Sequence, residues 1–333
     1  MTGVNTLMKS WAQFVNETNS SLVEKVGKNP VLLLISGGVD STVVAALLLK
    51  ALGSQAVHLM YMDTGLMRKD ETKNVKASLK RLGAKYIHIV NCEDEFLGAL
   101  KGVLDPETKR KTIGDLFIKI QERETSRLGL PESYFLAQGT IYPDILESGK
   151  EKGKNAKLVK SHHNVGSPLV DAKRKSGRVI EPLEKLYKNE VRDLGRFLGV
   201  DEEVLRRHPF PGPGISVRIL GEVTKQRCDL LREADAVYIG ELKKRGLYDK
   251  IWQAFPVLLP VSSTGVSSGG GRKYGSVLAL RAINTADAMT AEVYAFMMKD
   301  LLEISAKITG SVKEIGRVVF DITSKPPATI EWE

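Results

Sequence analysis

Short aliphatic and β-branched runs, VLLLI (31–35), VHLMYM (57–62), YIHIV (86–90) and YFLAQ (134–138), alternate with amphipathic stretches near 40–52, 70–82, 109–127 and 188–198. Two further short runs, LVK and RVIEP, continue the series before residue 188. A strand followed each time by a helix does not fold straight back on itself, so the alternation implies crossover connections and a mainly parallel sheet covered on both faces. The expected class is a doubly wound α/β domain with its ligands at the carboxyl ends of the strands.

The pattern changes at HPFPGPGIS (208–216), where three prolines and two glycines rule out a continuous regular element. A domain boundary is expected there. Beyond it, a helix over 224–245, strands over 255–261 and 276–282, a helix near 286–308 and a strand over 315–322 predict a small α+β domain. The 333 residues suit this division into a helical lead-in (1–25), a large domain (26–207) and a smaller one (208–333).

With 42% hydrophobic and 27% charged residues, the chain has the composition of a folded globular protein. The run Val43 to Leu49 stops at Lys50, far short of the roughly 20 residues that span a bilayer. The start MTGVNTLMKSWAQF has no apolar core of a secretory signal, so a cytoplasmic protein without membrane partners is expected. Cys92 and Cys228 are the only cysteines, which argues against a disulfide framework, a cysteine zinc site and dithiol chemistry. The net charge is +9, and between Lys150 and Arg178 nine bases stand against two acids. Such a window suits a nucleic-acid backbone, a compact polyphosphate or a solvated loop, and composition does not choose among them.

The first strand-like run ends in Ser36-Gly37-Gly38-Val39-Asp40-Ser41 and passes directly into a helix-like segment. Glycines there let the backbone approach an anion with no Cβ between, and the N–H groups of the first helical turn face it. Ser36 and Ser41 add hydroxyl donors, and Asp40 suits a helix cap or a magnesium ligand. The pattern is a phosphate site without the lysine of a Walker loop.

SGGVDS resembles the signature loop of the ATP pyrophosphatases, which split ATP into AMP and pyrophosphate while activating a substrate oxygen. Five later motifs, LAQGTIYPD (136–144), KSHHNVG (160–166), RHPFPGPGISVRILGE (207–222), GRKYG (271–275) and KPPATIEWE (325–333), resemble the GMP synthetase family in its order. The resemblance runs from about Val26 to Glu333. It implies amination of xanthosine 5′-monophosphate (XMP) to GMP: the xanthine 2-oxygen attacks the α-phosphorus of ATP, and ammonia then displaces AMP from C2.

By this resemblance, Ser36, Gly37, Gly38, Val39, Asp40, Ser41, Met62, Gly65, Gln138, Gly139 and Thr140 would bind ATP. Asp40, Lys160, His162 and His163 would carry the chemistry. Asp40 and Asp144 would hold Mg2+, with helix capping as the alternative for Asp144. Arg218, Lys325, Pro326 and Glu331 would bind XMP. Adjacent His162 and His163 also suggest a metal pair, but no Cys, Asp or Glu is spaced to complete a zinc site. Two departures from the family pattern stand out: Thr64 replaces an Asn, and VSSTGVSSGGGRKY (261–274) has Ser262 in place of an Arg and Gly270 near a missing Asp.

No glutaminase nucleophile motif surrounds either cysteine. A stand-alone synthetase subunit is therefore expected, fed by free ammonium or by a separate glutamine amidotransferase, and dimeric through 208–333. The alternatives are a tRNA-modifying ATP pyrophosphatase, favoured by the basic window, and a catalytically idle nucleotide-binding module. The resemblance implies no nucleic-acid partner.

Overall fold

The structure, a computed structural model, describes residues 2–144, 168–266, 269–286 and 288–333, with side chains from residue 11 onward. Its helices are α1 (Thr2–Val26), α2 (Val39–Leu52), α3 (Glu71–Arg81), α4 (Glu93–Leu100), α5 (Pro106–Arg127), α6 (Pro168–Lys175), α7 (Lys188–Phe197), α8 (Glu202–Leu205), α9 (Lys225–Lys244) and α10 (Met298–Ser311). The chain divides into two compact units. The first takes Met1–Asp63, Glu71–Asn91 and Phe117–Arg207, and the second takes Thr64–Asp70, Cys92–Leu116 and His208–Glu333.

The first unit holds a parallel sheet of β1 (Val31–Ile35), β2 (Val57–Asp63), β3 (Tyr86–Asn91), β4 (Phe135–Ala137) and β5 (Val179–Ile180), in the order β3-β2-β1-β4-β5. This is the expected doubly wound α/β class. Strand β1 is apolar throughout because it is central: it pairs with β2 on one side and β4 on the other, and Leu32 and Leu33 are wholly buried. Helix α2 is apolar almost all round, with Val43 to Leu48 buried, and α1 and α7 pack against it. The chain leaves β1 toward β2 but later returns to its opposite side as β4. That reversal opens a crevice at the carboxyl ends of β1 and β4.

The second unit is built on β6 (Gln253–Val266), β7 (Arg272–Asn284), β8 (Glu292–Val293) and β9 (Ile315–Phe320). Strand β7 pairs antiparallel with β6 and β8 and parallel with β9. Helix α9 packs on β6 and on α10.

Several elements differ from expectation. The helix anticipated near 286–308 begins only at Met298, because the backbone before it is used otherwise: β8 pairs with the end of β7, and Ala291 bridges Lys325. Strands β6 and β7 extend through the serine-rich end, where Ser262 pairs with Ser276 and Val266 with Arg272. The short helices α4, α6 and α8 were not anticipated, and LVK lies outside the described residues. Cys92 and Cys228 are free and buried, and burial pushes the Cys228 thiol up to about 11. Among the described residues no helix is long and apolar enough to cross a membrane.

Candidate active site

At the crevice of the first unit, β1 hands over to α2 through Ser36, Gly37 and Gly38. Gly37 adopts a left-handed φ of +81°, and a Cβ there would lie 2.9 Å from Val75 Cγ2 and 3.0 Å from Glu71 Oε1. The loop is tied internally by hydroxyls. Ser36 Oγ lies 3.1 Å from Ser41 Oγ and accepts from the Gly38 N–H at 3.2 Å. Ser41 Oγ and Thr42 Oγ1 both donate to the Gly38 carbonyl, at 3.2 and 2.8 Å. Gly38 is the N-cap of α2 and supplies no side-chain acceptor, so the helix's first N–H groups have no acceptor within the helix. Such N–H groups together with the helix dipole are the donors a bound anion uses, which makes this end of α2 a candidate anion seat.

Neighbouring strand ends complete the wall. A Cβ on Gly139, after β4, would sit 3.3 Å from the Ser41 nitrogen and 3.4 Å from Asp40, so this loop passes in close contact with the first turn of α2. Gln138 donates its N–H to the Ile180 carbonyl at 3.0 Å, and its Oε1 faces Arg174 Nη2 at 3.4 Å. Thr140 Oγ1 donates to Glu181 Oε1 at 2.6 Å, which Arg174 also reaches at 3.1 Å. From the start of α7, Lys188 Nζ approaches both carboxylate oxygens of Asp40, at 2.6 and 2.8 Å. Asp144 Oδ2 accepts from the Ile141 N–H at 2.9 Å, a helix-capping contact.

Ser36, Gly37, Gly38, Val39, Asp40, Ser41, Gln138, Gly139 and Thr140 thus fall at one sheet edge. Met62 is buried in β2, whereas Gly65 belongs to the second unit. There Gly65 has φ +69°, a Cβ would fall 2.4 Å from Glu93 Cγ, and its carbonyl accepts from Arg232 Nη2. Lys160, His162 and His163 lie outside the described residues. Asp40 presents a carboxylate of the type Mg2+ takes beside substrate phosphates, and in this structure Lys188 holds both its oxygens. Among the described residues no group of three or more His, Cys, Asp or Glu is placed to hold a metal ion.

In the second unit, Arg218 and Glu331 meet. Arg218, 1% exposed, donates from Nε and Nη2 to the two Glu331 oxygens at 3.1 and 2.8 Å. Its guanidinium lies 4.1 Å from the Phe255 ring centroid and 5.2 Å from that of Phe210. Gln253 Nε2 also donates to Glu331, at 2.9 Å. Arg218 Nη1 is buried and has no partner among the described residues. The tail is held by buried Arg281, which donates to the carbonyls of Thr323 and Thr329 and lies 3.1 Å from Asp321, and burial lowers its pKa. Trp332 Nε1 donates to Asp321 at 3.0 Å, and Lys109 and Arg110 reach Glu333. Lys325 Nζ instead donates to the Ala288 carbonyl at 2.8 Å, and Pro326 is exposed.

Lys188, Arg207, Glu71, Gln253 and Arg281 were not anticipated from the sequence. For Lys188 a signal existed, since it opens the helix after β5 at the carboxyl edge of the sheet, where α/β folds generally place ligands. The others find their partners far along the chain, Arg207 and Glu71 across 136 residues, Gln253 and Glu331 across 78, and Arg281 and Thr323 across 42, which leaves no local mark.

Residues 240–332 match the family described as GMP synthase C terminal domain, and residues 10–115 match NAD synthase. Glutamine-hydrolyzing GMP synthases of Zymomonas mobilis and Bdellovibrio bacteriovorus are 50% identical over 97% of this chain and 53% identical over 93%, each with 60% of the relative covered. That of Bartonella henselae is 48% identical over 99% of this chain and 62% of its own length. The chain therefore spans about three fifths of the length of these curated relatives. An NH3-dependent NAD synthetase from Campylobacter jejuni in complex with nitrate covers 59% of this chain and 76% of its own, at 18% identity and a TM-score of 0.44.

Proposed function

We propose, for a chain that carries an NAD-synthase-like domain and a GMP synthase C-terminal domain, that it aminates XMP to GMP with ATP and ammonia. The observation that carries the reading is the candidate anion seat at the β1/β4 crevice, where the glycine loop leads into the first turn of α2, Lys188 meets that turn at Asp40, and Gly139 meets it at Asp40 and Ser41. The name GMP synthase carried by the relatives supports a purine nucleotide as the acceptor.

In this reading the N–H groups of α2 and the hydroxyls of Ser36 and Ser41 bind the pyrophosphate end of ATP. The 2-oxygen of XMP attacks the α-phosphorus, and the bond to pyrophosphate breaks. Donors already aimed at that group hold the charge gathering on it, without reorganising at the moment of reaction. Ammonia then adds to C2 and releases a proton, and AMP departs with the former 2-oxygen. Lys160, His162 and His163 are proposed to add positive charge at the same step. Mg2+, held by Asp40 and by Asp144, would neutralise phosphate charge when bound.

Residues 26–207 are read as the ATP pyrophosphatase domain, with 1–25 as its helical lead-in. Residues 208–333 are read as the XMP-binding and dimerisation domain. Arg218 and Glu331 serve the nucleotide, with Lys325 and Pro326 in the tail. A homodimer is supported by Met297, Met298, Leu302 and Ile322, each at least 64% exposed in the second unit. Ammonia is supplied as such or by a glutaminase outside residues 1–333. The setting of this chemistry is the cytoplasm.

The test incubates the purified chain with ATP, Mg2+ and XMP, adds ammonium or glutamine, and separates the products. GMP, AMP and pyrophosphate with ammonium, and none with glutamine, is the expected result. ATP left intact with ammonium present overturns the reading.

A further inference from the structure

Behind the glycine loop, Arg207 donates from Nη1 to the Gly37 carbonyl at 2.9 Å and to Glu71 Oε1. Both partners of this ion pair are largely buried, at 20% and 12% side-chain exposure. We propose that Arg207, held by Glu71, is the positioning residue that sets the Gly37–Gly38 peptide in its anion-binding orientation. The proposal rests on the phosphate-site reading above.

A trans peptide is planar, so its C=O and N–H point in opposite directions. Fixing the Gly37 oxygen on Arg207 therefore turns the Gly38 N–H the other way, where it meets Ser36 Oγ at 3.2 Å. Without that anchor the glycine pair is free to rotate this peptide, since neither residue has a Cβ to resist. A rotated peptide would aim a carbonyl oxygen at the anion seat and repel phosphate. Glu71 does two things here. It opens α3 and sits where a Cβ on Gly37 would lie 3.0 Å away, so it limits the space available to the loop, and it compensates the Arg207 charge. With its charge so compensated and its Nη1 donating to the loop carbonyl, Arg207 acts through the backbone and not as a direct phosphate ligand.

Calorimetric titration with inorganic pyrophosphate and Mg2+ tests this on the full chain. Arg207→Met is expected to weaken binding by about tenfold or more, the scale of one charge-assisted hydrogen bond, and Glu71→Gln by about threefold. In turnover, the KM for ATP rises by the same factors while that for XMP stays put. Arg81→Met, which removes the ion pair to Asp201 elsewhere in the same unit, is expected to lower the melting temperature and leave pyrophosphate binding unchanged. Arg207→Met binding within twofold of wild type overturns the proposal. If that variant does not fold, Glu71→Gln at wild-type affinity overturns it. A wild-type chain that binds no pyrophosphate overturns the phosphate-site reading and this inference together. Wild-type binding with indifferent variants removes only the role of Arg207.

Discussion

Lys188 Nζ lies 2.6 and 2.8 Å from the two carboxylate oxygens of Asp40, joining the start of the helix after β5 to the first turn of the helix after β1. The pair spans 148 residues of sequence and lies at the carboxyl end of the parallel sheet, where the order of strand addition reverses. Asp40 is well placed at a helix N-terminus, and Lys188 remains 43% exposed and able to turn toward an entering anion.

Replacing Lys188 should therefore separate stability from function. A half-exposed ion pair contributes about 1 kcal/mol or less. Lys188→Met is expected to shift the melting temperature by only a few degrees yet to lower turnover by about tenfold or more, as loss of one preorganised charge does. Melting and steady-state assays on the same preparation read both.

Gly37→Ala should fail for two reasons at once. Its φ of +81° disfavours any side chain, and the new methyl would press on Val75 Cγ2 at 2.9 Å. A cost of about 1–3 kcal/mol is expected, together with loss of pyrophosphate binding. Denaturant titration and calorimetry give the two values.

His208 gives the second unit a pH signature. It is 7% exposed, its Nδ1 accepts from the Ala254 N–H, and its Nε2 faces the Tyr248 carbonyl, an arrangement for the neutral ring. Burial pushes its pKa down to about 4, against the usual 6.5. The folded state thus resists protonation while the unfolded state accepts it. The contribution is complete above about pH 6.5 and is lost progressively as pH falls to about 4, by ~3 kcal/mol in all. Denaturation midpoints from pH 7 to 4 should fall more steeply for wild type than for His208→Asn.

Much of the fold, and the cluster of candidate residues around SGGVDS, is legible because the signals are local. The run Val31–Ile35 is apolar on both faces, as a central parallel strand must be, and SGGVDS follows it directly. The late start of α10 was not legible: residues 286–297 have helix-compatible composition, but β7 and Lys325 claim their backbone. Segments 64–70 and 92–116 are drawn into the second unit by packing partners far along the chain. The family resemblance singles out Arg218 and Glu331 separately, each as an expected nucleotide contact. Their pairing across 113 residues is a tertiary fact that no local pattern encodes.

Because that pair is buried, breaking it should be costly. Glu331→Ala leaves the Arg218 guanidinium, 1% exposed, without its counter-charge, and a loss of about 3–5 kcal/mol is expected. Glu331→Gln keeps an acceptor and should cost less. Chemical denaturation of both variants gives the difference.

The central claim is that the 2-oxygen of XMP attacks the α-phosphorus of ATP on this chain. Supplying XMP labelled with 18O at that position, with ATP, Mg2+ and ammonium, and weighing the products by mass spectrometry tests it directly. The account predicts one 18O in AMP, none in pyrophosphate and none in GMP. Label in pyrophosphate, or GMP formed alongside unlabelled AMP, would contradict it.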